Sequence, residues 1–455
     1  MVLSVHEQQK MRILYVLILT QTFSLIGSRI SGVAVSLWLI EDQQSALPYA
    51  LLILFMTLPV ALMANVAGAL ADRWDRRYVM ALSDVGQAIG TLLLLVSFTS
   101  AHFQVWHLYA IIIFQTVFVA FQWPAFGAAV TMLATDEQRV RVNAWLEIGA
   151  RAAGVIAPTV GAAIYAALGV EVAIGFDLVT FVAALVVVLR VTIPHPEVSA
   201  AGKKFQGTFW QETLSGWRYL WSLRALFWFR VFVALIFFLI SPIEVLLIPY
   251  LLYRTESATT VGILSSLAQG AAIVAGMLVV AWGGTRPRIH TIMPGLIACG
   301  LSFALIGMSQ TPFWLAIPLA AIMLPIVATR VMLNTILQAK IPPDLQGRVF
   351  AAVQQLTLLL ASAMYLLAGW FADHFFEPAV GKENWEIVAP LVGDTPGSGI
   401  GLIFVLCGAV MMLATAIVYT LPAIRHLEAN LPDYTPQATR PDVQAEEITP
   451  RPAEA

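Results

Sequence analysis

Charge is scarce in this chain. Only 11% of its 455 residues are Asp, Glu, Lys or Arg, against roughly a quarter in soluble domains. Cysteine is scarcer still. The two present, Cys299 and Cys407, lie inside apolar runs and imply neither a disulfide framework nor a metal site. The seven histidines are scattered, with no His-x-x-x-His pair, and no Cys-x-x-Cys occurs. A phosphate-cradling P-loop is missing too: Gly202-Lys203-Lys204 and Gly381-Lys382-Glu383 lack the hydroxyl residue that would hold magnesium. With no nucleophile–base constellation either, an enzyme is not expected, and no cofactor is implied. A net charge of −2 gives no reason to expect nucleic acid as a partner. What fills the chain is apolar: 59% of residues are hydrophobic, and the mean hydropathy is +0.81. The composition is that of an all-α polytopic membrane protein whose first partner is the lipid bilayer.

A membrane span needs about 20 apolar residues. Twelve stretches qualify, at about 13–39, 47–70, 78–98, 104–124, 145–167, 172–190, 226–250, 259–282, 290–309, 313–337, 350–371 and 399–421. The first is long and carries Gln21, Ser24 and Arg29 behind Lys10 and Arg12, which suits a retained anchor helix better than a cleaved signal peptide. If the N-terminus is cytoplasmic, 19 of the 25 Lys and Arg residues fall on that side, 2 (Arg254 and Lys382) on the other, and 4 within spans. Positive charge is retained on the cytoplasmic side, so both termini are expected there, in the inner or plasma membrane. Trp38, Trp106, Trp314 and Tyr253 then stand near outer span ends, where amphipathic rings favour the interface.

The longest connection separates spans six and seven. It holds Pro194, Pro196, Lys203 and Lys204, then an expected amphipathic helix at Phe209–Trp221 lying on the membrane surface. The expected organisation is a six-helix bundle at 1–190, a cytoplasmic linker at 191–224, a second bundle at 225–425 and a disordered Pro-, Glu- and Thr-rich tail at 426–455. An internal repeat supports the division. Arg141-Val142-Asn-Ala144 aligns with Arg348-Val349-Phe-Ala351, and Gly68-Ala-Leu70 aligns with Gly276-Met-Leu278, at nearly the same offset. Repeated halves are the sequence mark of a secondary transporter with its substrate site between them. In the second copy Asp72 is replaced by Val280, so a charged gate is expected in the first half only.

That gate is the stretch Gly68-Ala-Leu70-Ala-Asp72-Arg73-Trp-Asp75-Arg76-Arg77, between spans two and three. Retention of positive charge explains its arginines, but not Asp72 against a span end or Gly68 one turn before it. The stretch resembles the loop 2–3 signature of the major facilitator superfamily, from which it departs at Asp75, where that signature has Gly. Gly154-x-x-x-Pro158-x-x-Gly161 is similar to the family's antiporter signature, with Ala157 in place of its Gly. Four further stretches resemble the branch that contains macrolide and enterobactin-type exporters: Gln122-Trp-Pro124-Ala125, Phe176-Asp177-Leu-Val-Thr-Phe181, Ile341-Pro-Pro-Asp-Leu-Gln-Gly347-Arg348-Val349, and Gly399-Ile-Gly401 with Leu431-Pro-Asp433. The resemblance implies twelve helices in two pseudo-symmetric six-helix bundles that rock around a central site, powered by a proton gradient and functional as a monomer. It also implies that Asp72 caps the start of span eleven near Gly347–Val349, where a carboxylate is favoured by the helix dipole. Gly68 would let the two helices approach closely.

Charges inside spans are rare and default to function. Arg29 and Asp177 fall at similar depth, counted at about 1.5 Å per residue, and are expected to pair or to share a proton-dependent network. The alternative is a purely structural ion pair. Arg230, Phe237, Ser241, Glu244 and Ile248 share one helix face, with Glu244 a candidate proton acceptor or a solvated entrance charge. Glu147 and Arg151 are spaced to neutralise each other or to touch the gate. Asp84, about two turns from Arg76 and Arg77, is expected to partner those arginines. In this family spans one, four, seven and ten line the cavity, which implicates Gln21, Gln115, Gln122, Glu244, Arg330 and Asn334. That mixture suits a bulky amphipathic small-molecule substrate. The leading expectation is proton-coupled efflux. An importer or facilitator of an anionic solute, or a transporter-shaped receptor without flux, are the rivals. Asp72→Asn should leave expression intact and sharply lower transport in membrane vesicles; near-normal flux would contradict the gate.

Overall fold

The computed structural model describes residues 5–100, 102–133, 136–190, 217–341 and 343–430. Within them, the side chains of 5–13, 64–66, 68–73, 76, 123–124, 127–145, 147, 338, 343–348 and 351 lie outside the description. Twelve helices among the described residues are long and apolar enough to cross a bilayer, and no strand occurs among them. Hydrocarbon offers the backbone no hydrogen-bond partners, so a spanning segment must satisfy its own peptide groups, and the helix does this within one segment.

The spans are α1 (Val5–Gln43), α2 (Ala46–Arg73), α3 (Arg76–Phe98), α4 (Val105–Leu133), α5 (Asp136–Leu168) and α6 (Val170–Arg190) in the first half. In the second half they are α7 (Arg224–Thr255), α8 (Ala258–Trp282), α9 (Ile289–Met308), α10 in two pieces (Pro312–Ala321 and Met323–Lys340), α11 (Pro343–Phe371) and α12 (Ser398–Thr420). The turns α1–α2, α3–α4 and so on to α11–α12 share one face, here the odd face; the turns beginning with α2–α3 share the opposite, even face. The expected surface helix at Phe209–Trp221 lies mostly outside the described residues, although 217–222 are helical.

Helix ends are closed by short-range polar contacts. Asp75 stands at the N-cap of α3 with extended backbone (φ −61°, ψ 117°), and its carboxylate accepts from the Arg77 N–H at 2.9 Å. A glycine there could not cap with a side chain, which explains the departure from the family signature. Ser257 caps α8 at the Thr260 N–H, 3.3 Å away. Two features were not expected. α10 breaks at Ile322, where Pro325 removes the N–H that would have satisfied the Ala321 carbonyl. α11 ends in one π-helical turn, Ala372–Phe376. Trp106 and Trp314 are exposed at odd-face span ends, as the sequence implies. Trp38 is not: it turns inward and packs edge-on against Phe98 and Phe103, at ring separations of 4.6 and 5.3 Å.

In the first half α1 packs on α5 and α6, α3 on α4 and α6, and α2 on α4; in the second, α9 packs on α12 and α10, α8 on α10, and α7 on α11. The halves meet along α5–α8 and α2–α11. The tightest packing inside the second half joins α9 and α12. A Cβ on Gly401 would lie 2.6 Å from the Gly307 carbonyl oxygen, and one on Gly300 would lie 2.8 Å from that of Gly408. Small residues let helix backbones touch where lipid provides no hydrophobic drive for association. Overpacking of this kind costs about 1–3 kcal/mol, so Gly401→Val should lower the thermal midpoint of the detergent-solubilised protein. An unchanged midpoint would mean that α9 and α12 do not depend on this contact.

Candidate functional site

A central cavity of about 660 Å³ is lined by residues of α1 to α6, with Ile248 of α7 and Gln269 of α8 from the second half. Its wall is mostly apolar, including Leu25, Ile53, Met56, Val119 and Phe126, and is interrupted by a few polar side chains. Beside the cavity, the halves are joined along α5 and α8. Thr159 donates to Ser266 Oγ at 2.8 Å, Ser266 donates to the Val155 carbonyl at 2.6 Å, and a Cβ on Gly262 would lie 2.6 Å from the Pro158 carbonyl oxygen.

The most organised polar feature of the cavity wall joins three helices. Asp84 of α3 is 1% exposed. Its carboxylate accepts from Gln122 Nε2 of α4 at 2.7 Å and from Gln21 Nε2 of α1 at 3.3 Å. Gln122 Nε2 also reaches Gln21 Oε1 at 3.1 Å, which closes the triangle. Gln122 Oε1 is buried and has no partner. Two amides thus solvate a carboxylate that water does not reach, and one acceptor is left over at the cavity wall. The sequence singled out all three residues but not their association, and it assigned Asp84 to the gate arginines. That assignment is corrected here. The carboxylate turns toward α1 and α4, and Arg77 is engaged elsewhere, donating to the Leu189 carbonyl, while the side chain of Arg76 lies outside the described residues.

Asp177 of α6, 5% exposed, accepts from Ser28 of α1 at 2.9 Å. It lines a smaller cavity of about 130 Å³ together with Gln87, Thr91, Gln115 and Thr116. Gln115 belongs to this smaller space and not to the larger one; it donates to Thr91 Oγ1 at 3.0 Å and to the Gln87 carbonyl at 3.2 Å. Ser28 and Gln87 line both cavities, so a polar strip runs from Asp84 to Asp177 entirely within the first half. The expected Arg29–Asp177 pair does not form. Neighbours on a helix point about 100° apart, so when Ser28 faces Asp177, Arg29 faces the large cavity. There its guanidinium would be 3.1 Å from a Cβ on Gly154.

The remaining candidates divide. Gly154 and Pro158 line the cavity, and Gly161 holds α5 against α1, since a Cβ there would sit 2.9 Å from the Ile30 carbonyl oxygen. Arg330 and Asn334 are exposed and do not line the cavity, contrary to expectation. Spacing by four sets which residues share a helix face, not where that face points. Glu244 also lies off the cavity; it accepts from the Tyr365 hydroxyl of α11. Arg230 is buried, with Nε and Nη1 unpartnered. Arg151 is exposed, and the side chain of Glu147 lies outside the described residues. Gly68, Leu70, Asp72 and Arg73 belong to the last turns of α2 and Arg76 to the first of α3, but their side chains too lie outside the description. Sequence reasoning missed Ser28, Gln87, Tyr49 and Gln269. Each is a single polar or aromatic residue in an apolar helix and carries no pattern of its own.

Two groups of helices that meet along two helix pairs around a central cavity define a membrane transporter. The chain belongs to the Major Facilitator Superfamily, whose profile matches residues 17–366. Macrolide efflux protein A of Streptococcus pyogenes is 26% identical over 375 residues, covering 81% of this chain and 90% of that protein. Its namesake from Enterococcus faecalis is 27% identical over 300 residues, covering 65% and 91%. The fold matches that of a bacterial homolog to the human lysosomal transporter Spinster, with a TM-score of 0.70 at 16% identity, over 94% of this chain and 99% of that one.

An asparagine in place of Asp84 would leave one glutamine N–H facing another donor. An unmet buried donor costs about 1–3 kcal/mol, so Asp84→Asn should slow transport in everted vesicles about tenfold or more at unchanged expression. A rate within about twofold of the parent would show that the triangle is dispensable.

Proposed function

We propose that this protein is a proton-coupled exporter of amphipathic small molecules of macrolide-like or siderophore-like character. On this reading it works by alternating access in the inner or plasma membrane of a prokaryote, as a monomer with both termini in the cytoplasm. The observation that carries the proposal is the cavity itself: about 660 Å³, largely apolar, with Asp84, Gln21 and Gln122 grouped on one wall. Drug-sized ligands occupy pockets of roughly 300–1,000 Å³ with a few well-placed polar groups in an apolar wall, and this cavity meets both requirements. A sugar-sized solute would leave much of the apolar surface uncovered. The names of the relatives, macrolide efflux proteins in two bacterial species, support efflux and this substrate class.

Proton coupling rests on the strip from Asp84 to Asp177. Two carboxyl groups inside the spans, each held by neutral side chains, form a route on which a proton can be taken up and released while no salt bridge locks either charge. The orientation follows the distribution of Lys and Arg: the even face is cytoplasmic and the odd face is outside. With α11 bound to the start of α2 through Asp373 at the odd face, the conformation on this reading is closed to the outside. Exchange then consists of opening that seal while the even face closes.

Arg29, which lines the cavity, gives an anion importer its single argument. The test separates the two. Everted vesicles are energised, a pH-sensitive dye reports the gradient, and a macrolide or a small organic anion is added. Partial collapse of the proton gradient on macrolide addition is the expected result. Collapse only when the anion is loaded inside the vesicles, at the carrier's outer face, would favour import, and silence with both would favour a receptor or an uncoupled carrier.

A further inference from the structure

The pentapeptide pattern Gly-x-x-Ala-Asp occurs at Gly68–Asp72, where α2 ends, and again at Gly369–Asp373, where α11 ends. The two helices run past each other in opposite directions, so these ends lie on opposite faces of the membrane. At the odd face the contacts of the second copy are on view. Asp373 accepts from the Ser45 hydroxyl at 2.5 Å, from the Ala46 N–H at 2.9 Å and from the Leu47 N–H at 2.6 Å. All three donors belong to the start of α2, in the other half of the molecule. One turn earlier, a Cβ on Gly369 would lie 2.5 Å from Ala50 Cβ and 3.1 Å from Leu47 Cα, so glycine permits the approach that brings Asp373 to its donors. The π-helical turn beginning at Ala372 places the carboxylate.

We propose that Asp373 and Gly369 form a second latch, which holds the odd face shut by capping α2 with a carboxylate from α11. It is the reciprocal of the even-face latch that the family resemblance assigns to Asp72 and Gly68, in which α2 caps α11. Helices 2 and 11 therefore carry one latch at each end. Since the halves rock as bodies, the two latches cannot be engaged together: closing one pulls the other apart. The free energy of a charged cap, which draws on both the orphan N–H groups and the helix dipole, is then available to each end state in turn. The internal repeat does not supply this residue. A Cβ on Gly276, the repeat partner of Gly68, meets nothing within 4 Å, and Val280 at the place of Asp72 is 85% exposed.

The proposal rests on the alternating-access reading above, and one experiment separates the two. In a Cys299→Ala, Cys407→Ala background, spin labels at His102 and Phe313 report the odd face, and labels at Leu189 and Trp282 report the even face. Loss of a helix cap shifts an equilibrium by about fivefold. Asp373→Ala should therefore raise the open-to-closed ratio of the odd-face pair about fivefold, and Asp72→Ala should do the same for the even-face pair. Ser45→Ala, which removes one donor at a surface turn and is safe for folding, should shift the odd-face pair in the same direction by a smaller factor. If neither Asp373→Ala nor Ser45→Ala moves the odd-face distances while Asp72→Ala moves the even-face ones, the latch is wrong and alternating access stands. If neither pair of labels moves in any variant, alternating access fails and the latch fails with it.

Discussion

Everything in this structure answers to one constraint: inside a bilayer a polar group finds its partner in the protein or not at all. The constraint makes the twelve spans helical, since the helix alone satisfies a single crossing segment. It accounts for Asp75 at the N-cap of α3, and for Glu377, which accepts from the Gly397 and Ile400 N–H groups at 3.1 and 2.8 Å where α12 begins. It also decides where the interior acids go. Among the described residues no cation stands beside Asp84 or Asp177, and amide and hydroxyl donors from neighbouring helices take the place of water. The same donors tie α1, α3, α4 and α6 into a unit, so the chemistry of the cavity wall and the cohesion of the first half come from the same bonds.

The two halves contribute differently. The cavity belongs almost wholly to the first, with Asp84, its amides and Arg29, while the second contributes Ile248 and Gln269. The second half is held internally by glycine packing between α9 and α12.

Much of this was legible in the sequence. Hydropathy located all twelve spans, since burying about 20 apolar residues in lipid leaves little freedom in where a span lies. Spacing and the rarity of charge within spans singled out Asp84 and Asp177, and the family resemblance singled out Gln21 and Gln122. Their grouping was hidden, because it depends on rotations of α1, α3, α4 and α6 about their axes. That ignorance produced the expected Arg29–Asp177 pair and the placement of Arg330 and Asn334 in the cavity. The break in α10 was not foreseen, although Pro325 acts on the carbonyl four residues back by local chemistry. Asp373 was missed for another reason. Repeat matching aligns the halves at one offset and pairs Asp72 with Val280, whereas the matching Gly-x-x-Ala-Asp stands at the end of a different helix.

The central claim is that a solute in the first-half cavity and a proton on its acidic strip compete. Its most direct test is proton release when a macrolide binds the purified, detergent-solubilised protein in a weakly buffered solution. The account predicts solute-dependent acidification that saturates with binding and is lost in Asp84→Asn. Saturable binding with no proton released by the unsubstituted protein would contradict it.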